Sequence, residues 1–123
     1  MTEVAARAYA LLALGIVGFQ AALILGAPWG RLTQGGTRQG PLCMRGRIFA
    51  AVSAALMAAM ALAVLSAAGL WPGWSRWTGW AALGLTAATT LANAATRSAP
   101  ERRLWLPVTA AMLALAAGTV LGG

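Results

Sequence analysis

Few side chains in this sequence are equipped for chemistry, and most of those are arginine. Nine arginines stand against Glu3 and Glu101, with no lysine or histidine and Cys43 as the only cysteine. General acid–base catalysis and metal binding both need titratable or ligating groups gathered at one place. Two carboxylates, one at the chain start and one in a capping position, do not supply them. No enzyme, cofactor or metal is expected. Proton-coupled transport would need a carboxylate or imidazole within the membrane, and none falls centrally in an apolar segment. Cys43 alone permits no intrachain disulfide and reads as an inert loop thiol.

The arginines themselves point to anions. Between Gly26 and Ile48 the chain carries Arg31, Arg38, Arg45 and Arg47 together with Gly30, Gly35, Gly36, Gly40 and Gly46. Glycines let successive amides converge on an anion, and guanidinium adds charge. The stretch has no Walker-type spacing and no partner lysine, which argues against a nucleotide. Lipid phosphate is the simpler ligand, at about 1 kcal/mol of surface attraction per arginine. The expected anion or headgroup site comprises Arg45, Arg47 and Arg97, with Asn93 as a hydrogen-bonding member.

What positions these groups is a set of apolar blocks. Hydrophobic residues make up 60% of the 123 and charged residues 9%, too few charges to coat a soluble domain of that size. Four stretches, about 8–26, 48–68, 77–95 and 105–121, approach the roughly 20 residues that span a bilayer at about 1.5 Å each. In lipid only a helix satisfies its own backbone over such a length. The expectation is one all-α integral membrane domain over 1–123, a four-transmembrane-helix bundle of antiparallel up-down topology. The first stretch is read as retained, because Leu25 and Pro28 spoil a signal-peptidase site after it.

Seven arginines lie in the first and third connections and two, Arg7 and Arg76, on the opposite side. The positive-inside rule then puts 27–47 and 96–104 in the cytoplasm and both termini outside a cell inner membrane. With the arginines between apolar blocks, they orient helices and meet anionic lipid; nucleic acid is not an expected partner. Trp29, Trp71, Trp74, Trp77, Trp80 and Trp105 flank the blocks, as an interfacial belt requires. The outer four would also suit a quaternary-ammonium cage, although no acidic residue is near. Small residues recur at four-residue spacing, Ala51 to Ala67 in the second block and Ala110, Ala114, Gly118 and Gly122 in the fourth, and favour close helix packing or a homo-oligomer.

The third block is the least lipophilic: Thr86, Thr89, Thr90 and Asn93 share a helical face. Counting about 1.5 Å per residue from the cytoplasmic ends, Gln20, Ser53 and Thr109 lie roughly 6 to 10 Å inside. With Thr90 they form a predicted intramembrane polar cluster. Two roles remain open for it, interhelical hydrogen bonds worth about 0.6 kcal/mol each, or a shallow cytoplasmic cavity. "SAPE", Ser98 to Glu101, fits a capping box at the start of the fourth helix, with Pro100 in its first turn and Pro107 further in.

"GAPWG", "GG", an arginine–isoleucine start to the second block, "N…S" and "ER.LW.P" together resemble a family of small bacterial four-helix membrane proteins. The matching positions are Trp29, Gly30, Gly35, Gly36, Arg47, Asn93, Ser98, Glu101, Arg102 and Pro107. Where the family pattern has Leu-Pro, this chain reads Leu42-Cys43. The resemblance implies the architecture and no particular activity. The functional expectation is a non-enzymatic membrane bundle whose arginine rim binds anionic lipid or a membrane-protein partner. The alternative is an oligomeric small-solute or ion transporter or channel subunit, hinted at by the echo between "FQAAL" and "LANAAT".

Overall fold

A computed structural model of the chain describes residues 2–29, 40–96 and 98–122. Four helices follow one another: α1 (Thr2–Ile24), α2 (Met44–Ala67), α3 (Arg76–Ala95) and α4 (Ala99–Gly122). Among the described residues there is no strand; Trp29 and Gly40 make an isolated parallel bridge in the α1–α2 connection. Of the predicted elements, Arg31, Arg38, Gly30, Gly35, Gly36 and Arg97 lie outside the described residues.

α1, α2 and α4 begin several residues ahead of their apolar blocks, whereas α3 nearly coincides with its own. α1, α2 and α4 are long and apolar enough to cross a membrane, and only 22 to 28% of their apolar windows is buried within the protein. Large side chains such as Leu11, Leu14, Ile48, Phe49 and Val52 therefore stand on the outer surface. An apolar exterior of this extent marks a surface that meets a membrane or another protein. α3, 20 residues long, is not among the three; its threonines, asparagine and arginine lower its hydropathy below theirs.

Two helices end alike. At α1, the Gly26 amide bonds the Leu23 carbonyl (3.1 Å) and the Ala27 amide the Ala22 carbonyl (2.9 Å); at α2, Gly69 bonds Ser66 (2.9 Å) and Leu70 bonds Leu65 (3.0 Å). Both are Schellman closures, and they require the left-handed glycines Gly26 (φ 103°) and Gly69 (φ 81°). α4 starts on Ser98, whose hydroxyl accepts from the Glu101 amide at 3.3 Å, the serine half of the capping box. The helix runs on through Pro107.

α1 packs mainly on α2 and α3 mainly on α4, with α1–α4 and α2–α3 closing the ring. The core gathers Tyr9, Ala13 and Ile16 of α1, Met60 and Val64 of α2, Ala82 of α3, and Met112 and Ala116 of α4. A smaller cluster of Leu23, Leu42 and Ala50 ties the end of α1 to the start of α2. The alanine stripe of α2 is divided: Ala63 is buried, whereas Ala51 and Ala55 are exposed. Ala110, Ala114 and Gly118 of α4 face outward.

Candidate functional site

Each helix contributes one face to a shared, partly enclosed cavity of about 330 Å³. The helical spacing is regular: Ile16, Phe19 and Gln20 from α1; Ser53, Met57 and Met60 from α2; Thr89 and Asn93 from α3; Glu101, Trp105 and Thr109 from α4. Positions three and four apart lie on one side of a helix, so each helix presents its polar residues and its bulky ones together. Three members of the predicted polar cluster, Gln20, Ser53 and Thr109, meet here, as does Asn93. Thr90 stands behind the wall, its hydroxyl 2.8 Å from the Thr86 carbonyl and 3.1 Å from that of Thr109. The echoed segments "FQAAL" and "LANAAT" thus bring Gln20 and Asn93 to the same space.

The wall is graded. Glu101 lies in the first turn of α4 and is nearly buried, with 8% of its surface exposed. Thr109 is two turns further along α4, and Ile16, Met57 and Met60 give the cavity an apolar lining. Trp105 meets Phe19 edge-on at 4.8 Å, and Trp29 stacks on the same Phe19 at 5.7 Å. Trp105 therefore helps close the site. Trp71 and Trp77, by contrast, are largely exposed at the other end.

The hydrogen bonding of the lining is one-sided. The Thr109 hydroxyl donates to its own-helix carbonyl of Trp105 at 2.8 Å, and Thr89 donates to Leu85 at 2.8 Å. Their protons are used, so towards the cavity they offer lone pairs. The Asn93 amide approaches Thr109 Oγ1 at 3.4 Å. Gln20 Oε1 is buried with no hydrogen-bond partner, an exception to the usual pairing of buried polar atoms.

The described arginines stand outside this lining. Arg45 is exposed at the first turn of α2. Arg47 donates through Nε to the Leu42 carbonyl at 3.0 Å, and its Nη2 lies 3.5 Å from where a side chain at Gly26 would begin. Arg102 donates to the Thr96 carbonyl at 2.8 Å, closing the α3–α4 corner; Arg103 is exposed. Asn93 is thus brought to the cavity wall, while neither Arg45 nor Arg47 is among the residues that line it.

Tyr9 escaped the sequence reading. Its hydroxyl is 2.7 Å from Thr86 Oγ1, and since Thr86 donates to the Ala82 carbonyl at 2.7 Å, Tyr9 is the donor. The signal was present: a lone tyrosine inside an apolar block needs a partner for its hydroxyl. A second groove of about 630 Å³ lies between α1 and α2, almost wholly apolar apart from Arg7 at its edge. No family model, no curated protein and no solved structure matches this chain.

Proposed function

We propose that this chain is a non-enzymatic protein of the cell inner membrane whose arginine-bearing end binds the phosphates of anionic lipid. In this reading all four helices cross the bilayer in up-down order, with the Thr2 and Gly122 ends outside and 27–47 and 96–104 in the cytoplasm. α3 crosses because its polar groups are bonded inside the bundle, Thr86 to Tyr9 and Thr90 and Asn93 to Thr109. Its outer residues, such as Leu85 and Leu91, meet lipid.

The observation that carries the proposal is the sorting of arginine. Seven of the nine lie in or beside the first and third connections. Of the described ones there, Arg47 and Arg102 are held by backbone carbonyls, and Arg45 and Arg103 remain exposed. Held arginines fix the connections, and exposed ones supply surface charge at about 1 kcal/mol each near an anionic leaflet. Arg97 adds to the same connection in sequence.

Two measurements test it. Exchanging Arg45 and Arg103 together for glutamine should lower the anionic lipid retained on gentle purification by about 30-fold, as two such attractions imply. Unchanged lipid content would refute the rim. Cys43, the chain's only cysteine and exposed beside Arg45, reports orientation. A membrane-impermeant maleimide should label it in opened cells and not in intact ones; labelling in intact cells would reverse the topology.

A further inference from the structure

The cavity has its own chemistry, independent of the rim. Four of its polar lining residues, Gln20, Thr89, Thr109 and Glu101, present acceptors. Gln20 Oε1 is buried and unpartnered. The hydroxyls of Thr89 and Thr109 have given their protons to carbonyls of their own helices, which leaves lone pairs towards the cavity. Glu101 adds a carboxylate, which offers about four acceptor positions and so keeps capacity beyond any bonds it makes within the protein. Among the described lining residues it is the only charged one. Ser53 and Asn93, whose amide donates to Thr109 Oγ1 at 3.4 Å, complete the polar lining. The rest is apolar, with the thioethers of Met57 and Met60 and the rings of Phe19, Phe49 and Trp105.

An anion would meet lone pairs there. A neutral apolar molecule would leave Gln20 Oε1 unbonded, at the cost of a buried unsatisfied group. A protonated amine satisfies both halves: its N–H groups bond the acceptors, its charge faces Glu101 and the negative faces of aromatic rings, and an attached apolar body fills the rest. About 330 Å³ falls within the range of small-molecule sites.

We propose that this four-helix cavity binds an amphipathic amine, with the ammonium head at Gln20 and Glu101 and the apolar body against Met57, Met60 and Phe49. The inference goes beyond the lipid reading and stands without it, since Arg45 and Arg103, which carry the lipid test, are not among the described lining residues.

Three water-soluble probes of one shape separate the possibilities: phenethylammonium, phenethyl alcohol and hydrocinnamate carry cationic, neutral and anionic heads on the same ring and chain. Equilibrium dialysis against the full chain in lipid nanodiscs, with empty discs subtracted, reads saturable binding. Phenethylammonium should bind at least about tenfold more tightly than hydrocinnamate, with the alcohol between, the size of effect expected from one charge-assisted hydrogen bond. Glu101→Gln should weaken the amine by about tenfold and leave α4 capped, because glutamine serves at that capping position as glutamate does. Gln20→Leu should weaken it by about fivefold, one ordinary hydrogen bond. The Arg45 and Arg103 exchanges should leave amine binding unchanged, so failure here and failure of the lipid rim are read separately. Absence of saturable amine binding by the unmodified chain, hydrocinnamate binding as tightly as the amine, or amine affinity untouched by Glu101→Gln would each overturn the proposal.

Discussion

The two halves of this bundle are built from the same four helices and are packed by opposite means. Around Gly79 the backbones approach so closely that an added Cβ would stand 2.9 Å from the Ala67 Cβ and 3.5 Å from a Val120 methyl. Gly122 sits likewise, 3.2 Å from a methyl of Thr2. In this half Thr86, Thr119 and Ser66 each donate to a carbonyl of their own helix, and Tyr9 donates to Thr86. Around Gln20 the facing residues are phenylalanine, tryptophan and methionine, a cavity remains, and one buried oxygen has no partner. Small side chains let helices close, and large ones from four sides hold them apart. In lipid, where little water is expelled by association, van der Waals fit of this kind decides how tightly helices join.

Three substitutions test that contrast, from the closed half to the open one. Gly79→Val should have the largest effect, because its Cβ collides with a Cβ anchored to another helix and not with a movable side-chain tip. A loss of about 3 kcal/mol, the upper part of the overpacking range, should be seen in unfolding from mixed micelles; wild-type stability would show that the halves are equally loose. Tyr9→Phe removes a donor but leaves Thr86 bonded to Ala82. Its cost should be about 0.6 kcal/mol, the average for a hydrogen bond between membrane helices, read by the same assay. Gln20→Leu should cost nothing measurable, or raise stability slightly, since it deletes an oxygen that has no partner to lose. A loss exceeding that of Tyr9→Phe would mean that Gln20 is bonded in the folded protein and would remove the contrast.

The arginines repeat this division on a smaller scale. At the closed end Arg76 reaches across to the Val120 carbonyl at 3.0 Å, capping α4 from the start of α3. At the open end Arg47 and Arg102 do similar work for their own connections. Chemically identical residues are thus structural or exposed according to whether an unpaired carbonyl lies within reach. Helix ends supply such carbonyls, which is why the arginines of the connections are drawn to them.

Much of this was legible in the chain. Long apolar runs identify the helices, Gly26 and Gly69 mark where two of them stop, and "SAPE" marks where the last one starts. Equal depth along the helices was enough to group Gln20, Ser53 and Thr109, because rise per residue is nearly constant. The pairing of Tyr9 with Thr86, the inward turn of Trp105, and the placing of Glu101 in the cavity wall were not legible. α2 explains why: it is apolar on all sides, so its own residues express no preference for which face turns inward.

Hydropathy, glycine positions and charge sorting are sums over neighbours in sequence, so the sequence alone determined how many helices form, roughly where they end, and which connections carry the arginines. Rotation of each helix about its axis depends on shapes that face one another across the bundle. The tertiary structure alone therefore decided which residues close against each other, which arginines meet a carbonyl, and that polar and aromatic positions from all four helices surround a space instead of filling it.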